Sequence, residues 1–121
     1  MAHNVVWFEV FGRDGAAMRT FYGNLFGWTF DTSSPGDYGV VTPAAGTGIS
    51  GGVGGIPPGG RSHVTFYVET PSLTDSLAAA ERLGGKTVLA PHQIDPGTRI
   101  ALFADPEGQV VGLVEHPTTQ A

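Results

Sequence analysis

Residues Arg19 to Trp28 read RTFYGNLFGW. Aromatic and aliphatic side chains recur in and just before it at three- and four-residue spacing, which is typical of a helix with one apolar face. We therefore predict a helix over Ala16 to Leu25. Asp14 is its expected N-terminal cap and Gly27 its stop, because Asp accepts hydrogen bonds from free helix N–H groups and Gly tolerates the left-handed backbone that ends a helix.

The segment before this helix, VVWFEVF from Val5 to Phe11, is rich in β-branched and aromatic residues and is stopped by Gly12. These residue types favour a strand, in which alternate side chains point to opposite faces. One predicted face carries Val6, Phe8 and Val10, and the other carries Val5, Trp7, Glu9 and Phe11. The second face is of interest because it includes a carboxylate.

The second half of the chain repeats this plan with an offset of about 58 residues. HVTFYVE, from His63 to Glu69, is again an alternating strand, and Ser72 is positioned to cap a helix over Leu73 to Leu83. We predict further extended segments after each helix: Trp28 to Phe30, Tyr38 to Thr42 and Gly48 to Val53 in the first half, and Lys86 to Leu89, Arg99 to Ala104 and Gln109 to Glu115 in the second. His92, beside Pro91, is expected in a loop. We therefore predict a single domain over 1–121 that contains two tandem βαβββ modules, at about 4–58 and 62–116.

Composition excludes several classes of protein. The 121 residues include 6 Lys and Arg, 11 Asp and Glu and no Cys, for a net charge of -5. Disulfide and thiolate chemistry is therefore impossible, and an acidic chain with so few basic residues is a poor nucleic-acid binder. No apolar run is long enough to span a membrane and no signal peptide is evident, so we expect a soluble, cytoplasmic protein.

Two motifs, together with the repeat, carry a family resemblance. RTFYGNLFGW and the FADPEG segment at Phe103 to Gly108 resemble the vicinal oxygen chelate superfamily over about residues 4 to 116. That superfamily includes glyoxalase I, extradiol dioxygenases, fosfomycin resistance enzymes and bleomycin-binding (bleomycin resistance) proteins. The resemblance implies an α+β fold in which the two modules form a half-barrel-like curved mixed sheet. Helices are expected on its convex side and the ligand on its concave face.

Enzymes of this superfamily hold a divalent metal with His, Glu or Gln from equivalent strands of both modules. The resemblance puts three of these positions on Trp7, His63 and Gly112 and the fourth within the Gly48 to Gly52 run, where Ser50 has the only side-chain oxygen. Of these residues His63 alone is a usual metal ligand. A catalytic metal normally needs three protein ligands. We therefore expect neither metal nor other cofactor, unless Glu9 joins His63 in an atypical site.

Glu9 and His63 are accordingly the candidate catalytic pair, acting as acid and base. Each also has a plainer interpretation, His63 as a hydrogen-bonded pocket residue and Glu9 as a salt-bridged or rim carboxylate. Candidate ligand-binding residues share the presumed concave face, where a packed core or a dimer interface is the alternative. They are Trp7, Phe11, Ser50, Thr65, Tyr67 and Gly112.

The leading functional hypothesis is a metal-independent protein that binds a hydrophobic or aromatic, antibiotic-like small molecule. The alternative is an enzyme, either a metal-dependent lyase or dioxygenase with an atypical site, or a metal-free isomerase, epimerase or hydrolase using Glu9 and His63. The resemblance also implies a homodimer. Glycines at 51, 52 and 112 would enlarge the ligand cavity, although the run from Gly46 to Gly60 could equally supply bends and close strand packing.

Overall fold

The computed structural model describes residues 2–34, 36–44 and 46–115. Neither helix in this part of the chain is long and apolar enough to cross a membrane. Helices and strands together confirm the predicted α+β class. In chain order the elements are β1 (Val5–Gly12), α1 (Gly15–Phe26), β2 (Tyr38–Val41), β3 (Ser50–Gly55), β4 (His63–Glu69), α2 (Leu73–Arg82), β5 (Lys86–Asp95), β6 (Thr98–Ala104) and β7 (Val110–Glu115).

The chain divides into two compact units. The first unit is Trp7–Thr65, and the second unit combines Met1–Val6 with Phe66–Ala121. The division falls within β1 and β4, so most of β1 belongs to the first unit and most of β4 to the second. The predicted module boundaries at 4–58 and 62–116 stay a prediction.

Helix α1 of the first unit begins and ends where local chemistry places it. The Asp14 carboxylate accepts a hydrogen bond from the N–H of Ala17 at 2.9 Å. At the other end Gly27 has a left-handed φ of 74°, and its N–H donates to the carbonyl of Gly23. A residue with a side chain is strained in that conformation, which is why Gly stops the helix. The predicted cap and stop are confirmed, and the helix is one residue longer at each end than predicted.

The strands of the first unit lie in the order β2-β3-β1. β1 pairs with β3 in parallel, with Glu9 opposite Gly52, and β2 pairs with β3 in antiparallel. The extended segment predicted at residues 28–30 is not a strand, and a single bridge between Asp31 and Val40 is all that forms there. Without a run of ladder hydrogen bonds this segment adds no full strand to the sheet.

Arg19 connects α1 to the strands of the first unit. Its guanidinium lies 2.8 Å from the Asp37 carboxylate, just before β2, and donates to the carbonyl of Val53 in β3 at 3.2 Å. The Arg19 side chain is only 16% exposed, whereas that of Asp37 is 54% exposed. Arg19 therefore holds α1 against the start of β2 and against β3.

The second unit has the strand order β4-β7-β6-β5. β4 pairs with β7 in parallel, and β6 is antiparallel to both of its neighbours. Ser72 caps α2 by accepting from the N–H of Asp75, as predicted. The core of this unit joins the helix to the sheet, and its buried members are Leu73, Leu77, Ala101 and Leu113.

Strand β5 is longer than its sequence indicated. The prediction ended extended structure near Leu89 and placed His92 in a loop, but β5 continues to Asp95 and His92 pairs with Ile100. Irregular register between β5 and β6 accompanies this extension. Bulges let a strand continue through Pro91 because the missing N–H falls where the ladder is interrupted.

The two units share one topology. In each, a helix follows the first strand, and the last strand returns to pair with that first strand in parallel. The remaining strands add outward in antiparallel. The predicted order of elements in the two modules is therefore confirmed, with the first module reduced at the Asp31 bridge.

Glycines in the strands lie against aromatic rings. A methyl group on Gly51 would overlap the ring of Phe8, one on Gly52 would overlap the Tyr38 phenol, and one on Gly112 would overlap the ring of Tyr67. Phe8 is the register partner of Gly51, and Tyr67 is that of Gly112. Of the two interpretations of these glycines, the structure favours close strand packing over an enlarged cavity, because the rings of neighbouring strands occupy the space that the missing side chains leave.

This packing predicts the effect of a single methyl group. In Gly51→Ala, we expect the free energy of unfolding to fall by about 1 to 3 kcal/mol, because the Phe8 ring must leave its position or push the strands apart. Chemical denaturation measures the change.

Gly97→Ala is the matched control. The nearest atom to a methyl group at Gly97 would be an Asp95 oxygen at 3.8 Å, which is an ordinary contact. We expect this control to stay within about 0.5 kcal/mol of the parent. Equal stability of the two variants would contradict the close contact between Phe8 and Gly51.

Candidate functional site

Alternation along β1 sends its side chains to two different environments. Phe8 lies with its ring centroid 5.3 Å from that of Trp28, in the segment after α1. Trp7, Glu9 and Phe11 lie on the other face, as predicted, where they contact residues of β2 and β4. We call the five residues on this side the Glu9 cluster: Trp7, Glu9, Phe11, Tyr38 and His63.

A directed chain of hydrogen bonds runs through the Glu9 cluster. The indole N–H of Trp7 donates to the hydroxyl of Tyr38 at 3.1 Å, and that hydroxyl donates to Glu9 Oε2 at 3.0 Å. The direction is fixed because an indole nitrogen can only donate. Tyr38 therefore accepts from one neighbour and directs its own proton at the carboxylate.

The environment keeps this phenol protonated. Burial, reinforced by the negative charge of Glu9, raises the pKa of Tyr38 well above its ordinary value. Both effects disfavour the phenolate, since desolvation and a like charge each penalise the ionised form. Tyr38 is therefore a neutral donor to Glu9 at every physiological pH.

His63 lies on the other side of the same carboxylate. Its Nε2 is 3.5 Å from Glu9 Oε1, and the two side chains are 21% and 10% exposed. Within residues 2–34, 36–44 and 46–115, this nitrogen is the buried side-chain atom that lacks a hydrogen-bond partner. The predicted pair is thus brought together, with Glu9 buried rather than at a rim.

Aromatic rings surround this polar group. The Phe11 centroid lies 5.9 Å from that of Tyr38 and 5.2 Å from that of His63. Trp7, Phe11 and Tyr38 are all half-buried. The cluster therefore combines a buried acid and an imidazole with partly accessible aromatic surface.

The remaining predicted site residues are distributed between the two units. Ser50 is half-buried beside Trp7 as its register partner in β3, and Thr65 is buried two residues beyond His63 in β4. Tyr67 and Gly112 belong to the second unit, where they are register partners and both are buried. Their predicted role in ligand binding stays a prediction.

Tyr38 is a member of the cluster that sequence reasoning missed. It was assigned only to the beginning of a short strand, which leaves the direction of its side chain open. The glycine pattern of β3 is a partial signal, because Gly52 and Gly54 leave room for one large ring, but the sequence does not indicate which residue fills that room. An aromatic residue opposite Gly54 fits that space.

The residues present do not fit the divalent metal that the superfamily implies. No group of three or more His, Cys, Asp or Glu side chains in the described ranges could share an ion. Glu9 and His63 supply two donors, one fewer than an open catalytic site uses. Tyr38 is a poor third ligand, because its raised pKa keeps the proton on its oxygen.

A separate cavity lies on the opposite side of β1. It has a volume of about 380 Å³ and is lined by Phe8, Trp28, Val41 and neighbouring residues. Trp28 thus borders this cavity, whereas Trp7 belongs to the Glu9 cluster. The two tryptophans therefore report on two different places in the first unit.

In each unit a helix follows the first strand and the last strand returns to pair with that strand in parallel, and solved structures of the glyoxalase/bleomycin resistance protein/dioxygenase superfamily share this fold. Residues 8–114 match the glyoxalase-like domain family, to which the chain belongs. This match confirms the resemblance inferred from the sequence.

Two curated proteins are informative relatives. A putative glyoxylase of Mycobacterium tuberculosis is 28% identical over 113 residues, which cover 88% of this chain and 43% of that protein. An anthracycline biosynthesis protein of Streptomyces peucetius is 30% identical over 118 residues, covering 84% of this chain and 43% of that protein. The chain therefore spans less than half the length of these relatives.

Solved structures share the fold at low sequence identity. A glyoxalase/bleomycin resistance protein/dioxygenase superfamily member from Vibrio splendidus 12B01 has a TM-score of 0.66 and 16% identity, covering 94% of this chain and 99% of that one. A methylmalonyl-CoA epimerase of Streptomyces coelicolor, bound to 2-nitronate-propionyl-CoA, has a TM-score of 0.63 and 13% identity, covering 100% and 99%. Identities this low show the fold alone.

The hydrogen bonds of Tyr38 predict a pH-dependent effect of Tyr38→Phe. At pH 8 we expect the variant to lose about 1 to 3 kcal/mol of unfolding free energy, because Trp7 and Glu9 each lose a partner. The loss should shrink above about pH 10, where the unfolded parent gains stability by ionising this tyrosine while the folded protein, with its raised pKa, does not. Urea denaturation at pH 8 and pH 11 measures both.

Tyr22→Phe is the control for the hydroxyl deletion. The Tyr22 ring stacks on Phe26 and Trp28, and no hydrogen bond in the described part of the chain involves its hydroxyl. We expect a change of less than about 0.5 kcal/mol. A Tyr38 variant as stable as this control would show that the chain from Trp7 to Glu9 is not formed.

Proposed function

We propose that this protein binds a small hydrophobic or aromatic molecule at the Glu9 cluster and does so without a divalent metal. The observation that carries the proposal is the position of the Glu9 carboxylate between the Tyr38 hydroxyl and His63 Nε2, beneath partly accessible aromatic rings. Ligand sites typically combine apolar and aromatic walls with a few fixed polar groups. The Glu9 cluster has this composition.

Energetics support the same interpretation. A carboxylate is costly to bury unless hydrogen bonds or charges compensate it. Glu9 is 8% exposed; its Oε2 accepts a hydrogen bond from Tyr38, and its Oε1 lies 3.5 Å from His63 Nε2. A purely structural core could avoid this cost with an apolar residue, so the buried acid is better explained by a role toward a ligand.

The names of relatives support a ligand of this class. One curated relative is an anthracycline biosynthesis protein, and anthracyclines are planar aromatic molecules. The half-buried Trp7 and Phe11 offer ring surface on which such molecules can stack. The proposal also includes a cytoplasmic location and a homodimeric state. Light scattering at the assay concentration measures whether the protein is a dimer.

Doxorubicin is a suitable first probe, and the two tryptophans locate its binding. In Trp28→Phe the remaining Trp7 reports on the Glu9 cluster, and in Trp7→Phe the remaining Trp28 reports on the cavity beside Phe8. We expect doxorubicin to quench the fluorescence of Trp7 and to shift that of Trp28 little. Addition of EDTA should leave the dissociation constant unchanged.

Quenching of Trp28 alone would contradict binding at the Glu9 cluster and place the ligand at the opposite cavity. Binding that EDTA abolishes and Zn²⁺ or Ni²⁺ restores would contradict metal independence. Calorimetric titration of the parent protein provides the affinity without relying on fluorescence.

A second candidate function is proton transfer to or from a bound molecule. It is favoured by the 3.5 Å separation of Glu9 Oε1 and His63 Nε2, which lets the two side chains act on one ligand as acid and base. A metal-free isomerase or epimerase needs such a pair to remove a proton next to a carbonyl group and return it. The solved epimerases that share the fold motivate the choice of test compound.

Deuterium exchange tests this candidate directly. If the pair is catalytic, the protein in D₂O with EDTA should exchange the α-proton of methylmalonyl-CoA or a smaller 2-substituted thioester. Glu9→Gln and His63→Gln should each lower the exchange rate at least about 100-fold, the typical contribution of a positioned acid or base. Glu107→Gln, on an exposed turn, is the matched control. Exchange that survives in both variants would eliminate this candidate.

A further inference from the structure

We infer that Glu9, held by Tyr38, orients His63 so that its Nδ1 accepts a hydrogen bond from a hydroxyl group of the bound molecule. The inference rests on the proposed function and narrows its ligand class to phenols and enols, that is, to flat molecules carrying a hydroxyl donor. Glu9 is on this account a positioning residue, and His63 is the residue that touches the ligand.

The carboxylate of Glu9 determines which nitrogen of His63 carries the proton. Nε2 faces Glu9 Oε1 at 3.5 Å. An ionised carboxylate can only accept hydrogen bonds, so a bare Nε2 lone pair opposite it would be repelled. The neutral imidazole is therefore stabilised with its proton on Nε2 and its lone pair on Nδ1.

The Glu9 carboxylate is itself held in place by its neighbours. Tyr38 donates to Glu9 Oε2, and Trp7 in turn donates to Tyr38. The Tyr38 ring lies against Gly52 and Gly54, where any side chain would displace it. The orientation of Glu9 is thus fixed by packing as well as by hydrogen bonds, and Oε1 remains directed at His63.

The exposed part of His63 lies on the side of Nδ1. The His63 side chain is 21% exposed although its Nε2 is buried. Within residues 2–34, 36–44 and 46–115, Nδ1 is not among the buried side-chain atoms that lack a partner, as expected of a nitrogen on the exposed edge of the ring. The exposed part of the imidazole therefore includes an acceptor that a ligand can reach.

Nδ1 and the neighbouring Phe11 ring together select the ligand. An acceptor nitrogen selects a molecule with an O–H or N–H donor, and the Phe11 ring, 5.2 Å from the imidazole, favours a flat group beside that donor. An aromatic or enolic hydroxyl satisfies both conditions. A methyl ether of the same skeleton keeps the shape but cannot donate.

Nitrogen-15 NMR of the whole protein tests the orientation of His63 without a ligand. We expect two-bond couplings to assign the proton to Nε2, with a ring N–H signal protected from solvent exchange. That signal should disappear in Glu9→Leu, which removes the acceptor, and persist in Glu107→Leu, while His63→Gln identifies it. A proton on Nδ1 in the parent, or a protected signal that survives in Glu9→Leu, would overturn the inference. The coupling measurement on the parent needs no variant to fold.

Calorimetry with 2-naphthol and 2-methoxynaphthalene tests the ligand class. We expect 2-naphthol to bind the parent roughly five- to tenfold more tightly, the ratio that one neutral hydrogen bond provides. His63→Phe should bind both compounds alike. Equal binding by the parent would overturn the inference and leave the proposed function standing. If neither compound bound while the Nε2 proton was protected, the proposed function and the ligand class would fail and the orientation of His63 would stand.

Discussion

The first unit depends on satisfying a single buried charge. Glu9 lies on a strand between large aromatic residues and is almost fully removed from water. It remains there because Tyr38 donates to one oxygen and His63 lies beside the other. Tyr38 can reach it only across Gly52 and Gly54, and Arg19 holds the residue that precedes Tyr38. Strand pairing, glycine placement and the helix motif are thus all constrained by one carboxylate.

Features that depend on neighbouring residues could be predicted from the sequence. Asp14 and Ser72 cap their helices through hydrogen bonds that span three residues, and the left-handed backbone at Gly27 follows from Gly itself. Strict alternation in His63–Glu69 determines both the strand and its bounds. For the same local reason Glu9 could be placed on the face of Trp7 and Phe11. Its pairing with His63 was suggested by the family resemblance, which puts ligand positions on Trp7 and His63.

Features that depend on register between distant strands could not be predicted. Nothing near Tyr38 in the chain indicates that its hydroxyl reaches Glu9, because that contact depends on how β2 and β1 both pair with β3. The glycines of β3 were ambiguous for the same reason, since free space and an inserted ring leave the same sequence signal. β5 is longer than predicted. Pro91 normally disfavours a strand, but the irregular pairing between β5 and β6 accommodates it.

The contact between Gly52 and Tyr38 has an evolutionary consequence. The side chains at positions 38 and 52 compete for the same space. A side chain fits at 52 only if the residue at 38 is smaller than Tyr, and Tyr fits at 38 only if residue 52 is Gly. In glyoxalase-like domains with this arrangement the two positions should therefore covary. A smaller residue at 38 combined with a carboxylate or imidazole at 52 would place a third donor beside Glu9 and His63. Two coupled substitutions would therefore give the Glu9 cluster the three donors that a catalytic metal site uses.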